Sequence, residues 1–136
     1  MRVAREWTVL PATALVLIGC SVLVDLEGTR IGEPERYPDV LAAEVRPAGE
    51  RRYDVAVTIS SPYDSATRYA DGWRVLDPDG NVLGEHTLLH DHAAEQPFTR
   101  TQRGLFIPEG VREVTVEGRD QVSGFGGATV TVAVPA

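Results

Sequence analysis

Apolar and polar residues alternate in short runs from Val40 to the C-terminus, and turn-forming residues separate the runs. The run Tyr53–Ser60 is the clearest, because Val55, Val57 and Ile59 fall on one side of an extended chain. Side chains alternate across a β-strand, so this spacing predicts a strand with one buried face. No stretch in this part of the chain has the spacing typical of an amphipathic helix.

Strands of this kind recur at roughly ten-residue spacing, with Gly and Pro in the connections. A bend is expected near Gly104, and Gly124–Gly127 is predicted to be a tight loop. The predicted strands are Val40–Arg46, Tyr53–Ser60, Trp73–Leu76, Val82–Leu89, Phe98–Ile107, Val111–Asp120 and Val130–Val134.

About seven regular strands without a helix predict an all-β protein. We expect residues 40–136 to form a single immunoglobulin-like or fibronectin-like β-sandwich, preceded by an N-terminal signal or anchor segment. Trp73 is the expected aromatic centre of the core. Antibody-type domains are excluded, because the chain has a single cysteine and therefore no internal disulfide.

The N-terminal residues 1–19 have the organisation of an export signal. Arg2 and Arg5 precede an apolar stretch, Trp7–Gly19, of the length expected for a signal peptide. The stretch ends in Leu17-Ile18-Gly19-Cys20, which resembles the lipobox of bacterial lipoproteins. That resemblance implies cleavage before Cys20 and attachment of a lipid to its thiol, and hence a membrane as a partner.

Two alternatives to lipidation remain open for this segment. The run Trp7–Val24 is just long enough to span a bilayer as an uncleaved anchor, and an ordinary cleaved signal would release the domain. The lipoprotein and the uncleaved anchor both leave the domain exported and held at the cell membrane or an outer membrane, facing the periplasm or the cell surface.

Residues 20–39 are predicted to be the lipidated cysteine and a flexible acidic tether. Asp25–Asp39 is polar and is interrupted by Gly and Pro, and it follows neither the helical nor the strand period.

Charge and composition exclude several functions. The formal net charge of −7 repels phosphates, so we expect no nucleic-acid partner. The chain contains no lysine, which excludes a Schiff-base or P-loop lysine. Its one cysteine, Cys20, lies in the N-terminal apolar run, so the folded domain has no cysteine-rich zinc site and no thiol nucleophile.

The three histidines lie close together at His86, His90 and His92. If the strand that begins at Val82 continued through them, they would share one face. Imidazoles at this spacing could bind zinc or copper(II), with Asp91 or Glu95 adding oxygen ligands. The alternative is that Leu88-Leu89 ends the strand and leaves His90 and His92 on a loop.

On a loop, these histidines would be solvated or hydrogen-bonded residues with a structural role, or they would belong to a ligand or partner site. Arg100 is expected either to form a salt bridge with Glu95 or Asp91 or to bind an anion. The candidate residues for such a site are His90, Asp91, His92, Glu95, Gln96 and Arg100.

No catalytic motif is present, and we assign no catalytic residue and no cofactor apart from the zinc or copper(II) alternative. Asp77-Pro78-Asp79-Gly80 lacks the spacing of a calcium-binding loop. Ser60 and Ser61 lack the surrounding glycines of a nucleophile elbow.

Two segments resemble a group of short, uncharacterised exported bacterial proteins, over roughly half of the chain. The group has no assigned activity, so the resemblance implies export and draws attention to the histidine segment without giving it a role. The similar residues are Leu89-His90-Asp91-His92, Glu95-Gln96-Pro97-Phe98-Thr99-Arg100, Ile107-Pro108-Glu109-Gly110-Val111, Val114-Thr115-Val116, Asp120 and Gly124-Phe125-Gly126-Gly127.

Three functional hypotheses follow, in order of preference. The first is a membrane-tethered, non-enzymatic binding or accessory domain of the cell envelope, with an unidentified envelope protein or ligand as its partner. The second is an envelope metal-binding protein that uses His90 and His92, assisted by His86. The third is an unrecognised hydrolase or isomerase with His90 or His92 as the base.

Overall fold

A computed structural model describes residues 36–136. The predicted signal peptide, Cys20 and the tether up to residue 35 lie outside the described residues. The strands are β1 (Asp39–Gly49), β2 (Arg52–Ser60), β3 (Ala70–Leu76), β4 (Val82–Thr87), β5 (Phe98–Phe106), β6 (Glu113–Asp120), β7 (Gly124–Phe125) and β8 (Val130–Ala133).

Two antiparallel sheets form a β-sandwich, as the spacing of apolar residues predicts. One sheet has the order β1-β2-β5. The other has the order β4-β3-β6, and both β7 and β8 pair with β6, at opposite ends of that strand. The fourth strand therefore joins the second sheet, as in fibronectin-like domains, and not the first sheet as in constant-type immunoglobulin domains.

The core lies between the inward faces of the two sheets. Val55, Val57 and Ile59 of β2 are fully buried, as predicted, and so are Val114 and Val116 of β6. Burial of each such side chain contributes about 1.5–3 kcal/mol relative to exposure.

Trp73 of β3 fills the centre of this core, as expected from the sequence. It has 0% of its surface exposed, and its indole Nε1–H donates to Oε1 of Gln102 on β5 at 3.0 Å. The hydrogen bond satisfies the one polar atom that the tryptophan brings into the core.

Some strand boundaries differ from the predicted ones. β4 ends at Thr87 and not at Leu89. Leu88, the next residue, is buried, and its N–H donates to the carbonyl of Asp71 on β3 at 2.8 Å. The segment Gly124–Gly127, predicted to be only a loop, contains the two-residue strand β7. The expected bend at Gly104 is present: the residue has φ +65°, and its N–H bonds to Asp54 Oδ1.

Antiparallel pairing gathers three loops at one end of the sandwich. β2 and β6 end there, and β3 and β5 begin there, as the pairs Ile59↔Phe98 and Ala70↔Asp120 show. We call this end the loop pole. It consists of loops 61–69, 88–97 and 121–123 together with the entering residues 36–38.

The chain enters the domain through a close contact at the loop pole, which we call the entry clasp. Pro38 is buried, and Asp39, placed in the tether by the sequence, is the first residue of β1. A Cβ added to Gly126 would lie 2.5 Å from the ring of Tyr37, and one added to Gly127 would collide with the carbonyl of Pro38. These glycines therefore allow the entering chain to pack against the segment between β7 and β8.

Two hydrogen bonds also join the start of β1 to the segment between β7 and β8 in the entry clasp. The N–H of Val40 donates to the carbonyl of Ala128 at 2.9 Å, and the N–H of Ala128 donates to Asp39 Oδ1 at 2.8 Å. The start of β1 is thus bonded to the second sheet's edge as well as to β2.

Candidate functional site

The candidate site is the histidine loop, Leu88–Pro97, which connects β4 to β5 at the loop pole. Buried Leu88 fixes its first end and buried Phe98 follows its last residue. Between them, His90 is exposed and only 4% of the surface of His92 is accessible. The loop thus has anchored ends and an outward-facing middle.

Three rings stack at the base of the loop. The imidazole of His92 lies parallel to the Phe98 ring, with centroids 3.9 Å apart and an interplanar angle of 11°. The exposed imidazole of His90 contacts the His92 ring with centroids 4.7 Å apart. Of the three histidines, the structure therefore brings His90 and His92 together.

A carboxylate from the neighbouring loop holds the histidine loop in place. Asp64 Oδ1 accepts a 2.6 Å hydrogen bond from the N–H of His92, and Asp64 Oδ2 accepts one from the side-chain amide of Gln96. Gln96 Oε1 in turn accepts from the N–H of Ser61 at 2.9 Å. We call this set of bonds the Asp64 clamp.

The Asp64 clamp changes the interpretation of Gln96. From the sequence, Gln96 is a candidate for a ligand or partner site. In the structure, the amide nitrogen and the amide oxygen of its side chain both form hydrogen bonds that join two loops. The role of Asp64 was not predicted from the sequence, because no motif or spacing in loop 61–69 distinguishes this residue. The available signal was topological, since loops 61–69 and 88–97 of such a sandwich meet at one end.

Arg100 forms one of the two salt bridges considered from the sequence. Its guanidinium pairs with Glu95 at 2.5 Å, and its Nη1 donates to the carbonyl of Thr99 at 2.8 Å. The side chains of both partners are more than a third exposed, so the pair contributes at most about 1 kcal/mol. Asp91 does not join this pair, and its carboxylate accepts only a long 3.4 Å bond from the N–H of Ala93.

His86 takes a different position from the other histidines. Its ring lies against Trp73 on β3, with centroids 4.3 Å apart, and it does not line the depression at the histidine loop. The shared strand face expected for His86, His90 and His92 is absent, because β4 stops at Thr87. Within residues 36–136, no group of three or more His, Cys, Asp or Glu side chains is arranged to hold a metal ion.

The environment of His92 favours its neutral form. Desolvation is the largest cause that lowers the pKa of His92, and the positive charges of Arg100 and His90 lower it further. The carboxylates of Glu95 and Asp64 oppose these effects but do not reverse them. Burial likewise lowers the pKa of His86.

The orientation of His90 leaves one nitrogen available to a ligand. Its Nδ1 lies 2.8 Å from the carbonyl oxygen of Asp91, which can only accept, so Nδ1 carries a proton and donates. Nε2 of the neutral ring then has a free lone pair. His90 lines the depression of about 280 Å³ that the histidine loop forms with Arg100.

A second polar cluster supports the loop that follows β6. Asp120 is 1% exposed, and its Oδ2 accepts from Arg68 Nε at 3.0 Å and from the N–H groups of Val122 and Ser123. The Arg68 guanidinium lies 3.6 Å from the centroid of the Tyr63 ring. Asp120 Oδ1 is buried without a hydrogen-bond partner among the described residues.

The opposite end of the sandwich carries a larger recess, of about 620 Å³. Tyr53, Ile107 and Val111 contribute apolar surface to it. Arg51 and Glu109 pair at 2.6 Å there and so neutralise each other's charge. Among residues 36–136 the ion pairs all use arginine, and no histidine is paired with a carboxylate.

The described residues contain no helix with the length and apolar character required to cross a bilayer. No model of a known protein family matches the chain, and no solved structure matches it.

One curated relative links the chain to lipoproteins. The chain is 37% identical over 97 residues to a protein of Halomicrobium mukohataei named "Putative lipoprotein". The match covers 71% of this chain and 47% of the relative, so the chain spans about half the length of the curated relative it matches. Most of the matched residues fall in the sandwich, since the match is far longer than the segment before Arg36. The chain is therefore similar to a protein with a lipoprotein name and no stated activity.

Proposed function

We propose that this protein is an exported lipoprotein, tethered to a membrane through Cys20, whose sandwich is a non-enzymatic binding or accessory domain of the cell envelope. The observation that carries the proposal is the sequence Leu17-Ile18-Gly19-Cys20 at the end of an apolar export signal. The name of the Halomicrobium relative supports it. Residues 1–19 are then the cleaved signal, and the residues after Cys20 are the tether.

The histidine loop is the proposed binding surface. Its ends are buried and the Asp64 clamp fixes its middle, so a partner would meet a preformed surface and would lose little entropy in ordering it. The loop also lies among the three loops at the loop pole. In immunoglobulin variable domains, loops at one end of the sandwich form the antigen-binding site, which is an analogy of fold and not of sequence.

Fatty-acid labelling of cells that express the full chain tests the anchor. Cys20→Ala should lose both the label and the cleavage before residue 20, because only a thiol forms the thioether on which processing depends. Ser21→Ala is the matched control and should retain both. If Cys20→Ala is still labelled, the lipoprotein proposal is wrong. If it stays in the membrane and neither it nor the wild type is labelled, the segment is an uncleaved anchor.

Site-specific photocrosslinking in the envelope tests the binding surface. A photoreactive residue at exposed Ala94, in the histidine loop, should form a defined crosslinked product. The same residue at Gly80, in the exposed turn between β3 and β4, should not. Equal crosslinking at the two positions would show that the histidine loop is not the preferred contact.

The pair His90 and His92 supports metal binding as a second candidate function. Two imidazoles with centroids 4.7 Å apart are suitable for zinc or copper(II), provided that water or a partner supplies the remaining ligands. Calorimetric titration with each ion should show 1:1 binding that His90→Ala abolishes and His86→Gln preserves. An absence of heat with the wild type would remove this candidate. Hydrolysis has no comparable support, because no histidine of residues 36–136 is paired with a carboxylate.

A further inference from the structure

The loop pole presents apolar side chains that the fold holds out of its core. Leu89 is 84% exposed and Val122 is 65% exposed, which makes them the two most exposed large hydrophobic residues of the described chain. Leu89 follows β4 and Val122 follows β6, and both strands finish at the same end of one sheet. One strand separates β4 from β6, so the two side chains leave the sheet roughly 10 Å apart.

Both residues are held outward by an ordered backbone. Leu88, immediately before Leu89, is buried and its N–H bonds to the carbonyl of Asp71 at 2.8 Å. The N–H of Val122 donates to buried Asp120 at 3.1 Å. These bonds fix the backbone beside Leu89 and at Val122, so the outward position of both residues belongs to the folded loops.

The chain that leads to the lipid anchor enters the domain at this same end. The entry clasp fixes Tyr37 and Pro38 at the loop pole. If Cys20 is lipidated, the residues between it and Arg36 can span no more than about 58 Å even when fully extended. The opposite end of the sandwich lies a full strand length further from the point of entry.

We propose that the loop pole contacts the surface of the bilayer that holds the anchor, with Leu89 and Val122 inserted among the lipid headgroups. This inference rests on the proposed lipid anchor. The anchor keeps the apolar residues within reach of the bilayer, so a contact too weak to recruit a free protein is sufficient to orient a tethered one. The contact places the histidine loop at the bilayer surface, so a partner bound to that loop would itself be a component of the membrane, and it turns the recess at Arg51 and Glu109 away from the bilayer.

Depth-dependent fluorescence quenching tests the inference on the full, lipidated chain. Leu89→Cys and Val122→Cys are each labelled with an environment-sensitive dye and reconstituted in phosphatidylcholine vesicles that contain doxyl-labelled lipid. Cys20 is the only native cysteine and its thiol is consumed by the lipid, so the introduced thiol is labelled alone. Val82→Cys is the matched control, because Val82 is also an exposed valine, 49% accessible, at the far end of β4.

We expect quenching at positions 89 and 122 to exceed that at position 82 by at least about twofold. Leu89→Ser combined with the dye at position 122 should reduce the quenching there toward the value at position 82. Vesicles that float with the protein while the three positions are quenched equally would overturn the membrane contact and leave the anchor intact. Failure of the protein to float with the vesicles would overturn the proposed anchor, and this inference with it.

Discussion

Removal of the Asp64 carboxylate should loosen the histidine loop and lower the stability of the whole domain. Asp64 accepts hydrogen bonds from the N–H of His92 and from the amide of Gln96, and both bonds have a charged acceptor. Such bonds contribute about 1.5–3 kcal/mol each when buried. Because Asp64 is partly exposed, we expect Asp64→Ala to reduce the free energy of unfolding by about 2 kcal/mol in total.

Two measurements check this magnitude. In a domain of this size the loss should lower Tm by about 10 °C in thermal unfolding followed by circular dichroism. Amide hydrogen exchange at His92 should accelerate by about 30-fold, because the N–H loses the acceptor that protects it.

The control is Asp91→Ala, in the histidine loop itself. The Asp91 side chain accepts only the 3.4 Å bond from Ala93, so its removal should change stability by less than about 0.5 kcal/mol. The reasoning is refuted if Asp64→Ala costs no more than Asp91→Ala, or if exchange at His92 is unchanged.

Three further predictions follow from other contacts. Because the folded-state pKa of His92 lies below its ordinary value of 6.5, the unfolded chain takes up the proton first, and the free energy of unfolding should fall as the pH drops below about 6.5. His92→Gln should reduce the slope of the profile measured by urea denaturation, and the remaining slope comes from His86, whose pKa burial also lowers. Gly126→Ala should lower the free energy of unfolding by about 1–3 kcal/mol, because the added methyl group displaces Tyr37. In a Tyr37→Ala background the loss should be smaller, as a double-mutant cycle would show. Asp120→Ala should cost about 3 kcal/mol in thermal unfolding, because it leaves the arginine partner and two backbone N–H groups without their acceptor, and Asp120→Asn should cost less.

The alternation of apolar and polar residues along the chain predicts the β-sandwich, but it does not predict where the strands end. Val55 and Val116 could be assigned to the core because each is flanked by polar or small neighbours. At Leu88-Leu89 two apolar residues are adjacent, and alternation cannot decide which one is buried. Tertiary contact decides it: the N–H of Leu88 bonds to β3 and its side chain packs into the core, which leaves Leu89 exposed.

Composition selects the histidine segment as the candidate site, but the contacts of its side chains could not be predicted from composition. The cluster of histidines correctly pointed to a loop beside Phe98, and one of the two partners considered for Arg100 is the observed one. Of the two arrangements left open for the histidines, the structure has the second: the strand ends before Leu88-Leu89, and His90 and His92 lie on a loop that His86 does not share. Asp64 was missed because its role depends on a contact between loops 28 residues apart in sequence, which no local pattern records.

The entry clasp has a mechanical consequence for a domain held by its N-terminus. A force applied through the incoming chain would act on β1, an edge strand whose first pair with β2, Asp39↔Ser60, lies next to the point of loading. Edge strands pulled from one end open pair by pair. Here Pro38 packs against Gly127, and the N–H of Val40 donates a hydrogen bond to the carbonyl of Ala128. The applied force is therefore shared between both sheets before the first pair of β1 and β2 separates. Gly126 and Gly127, which lie near the C-terminus, would then contribute to the force that the N-terminal strand withstands before it separates.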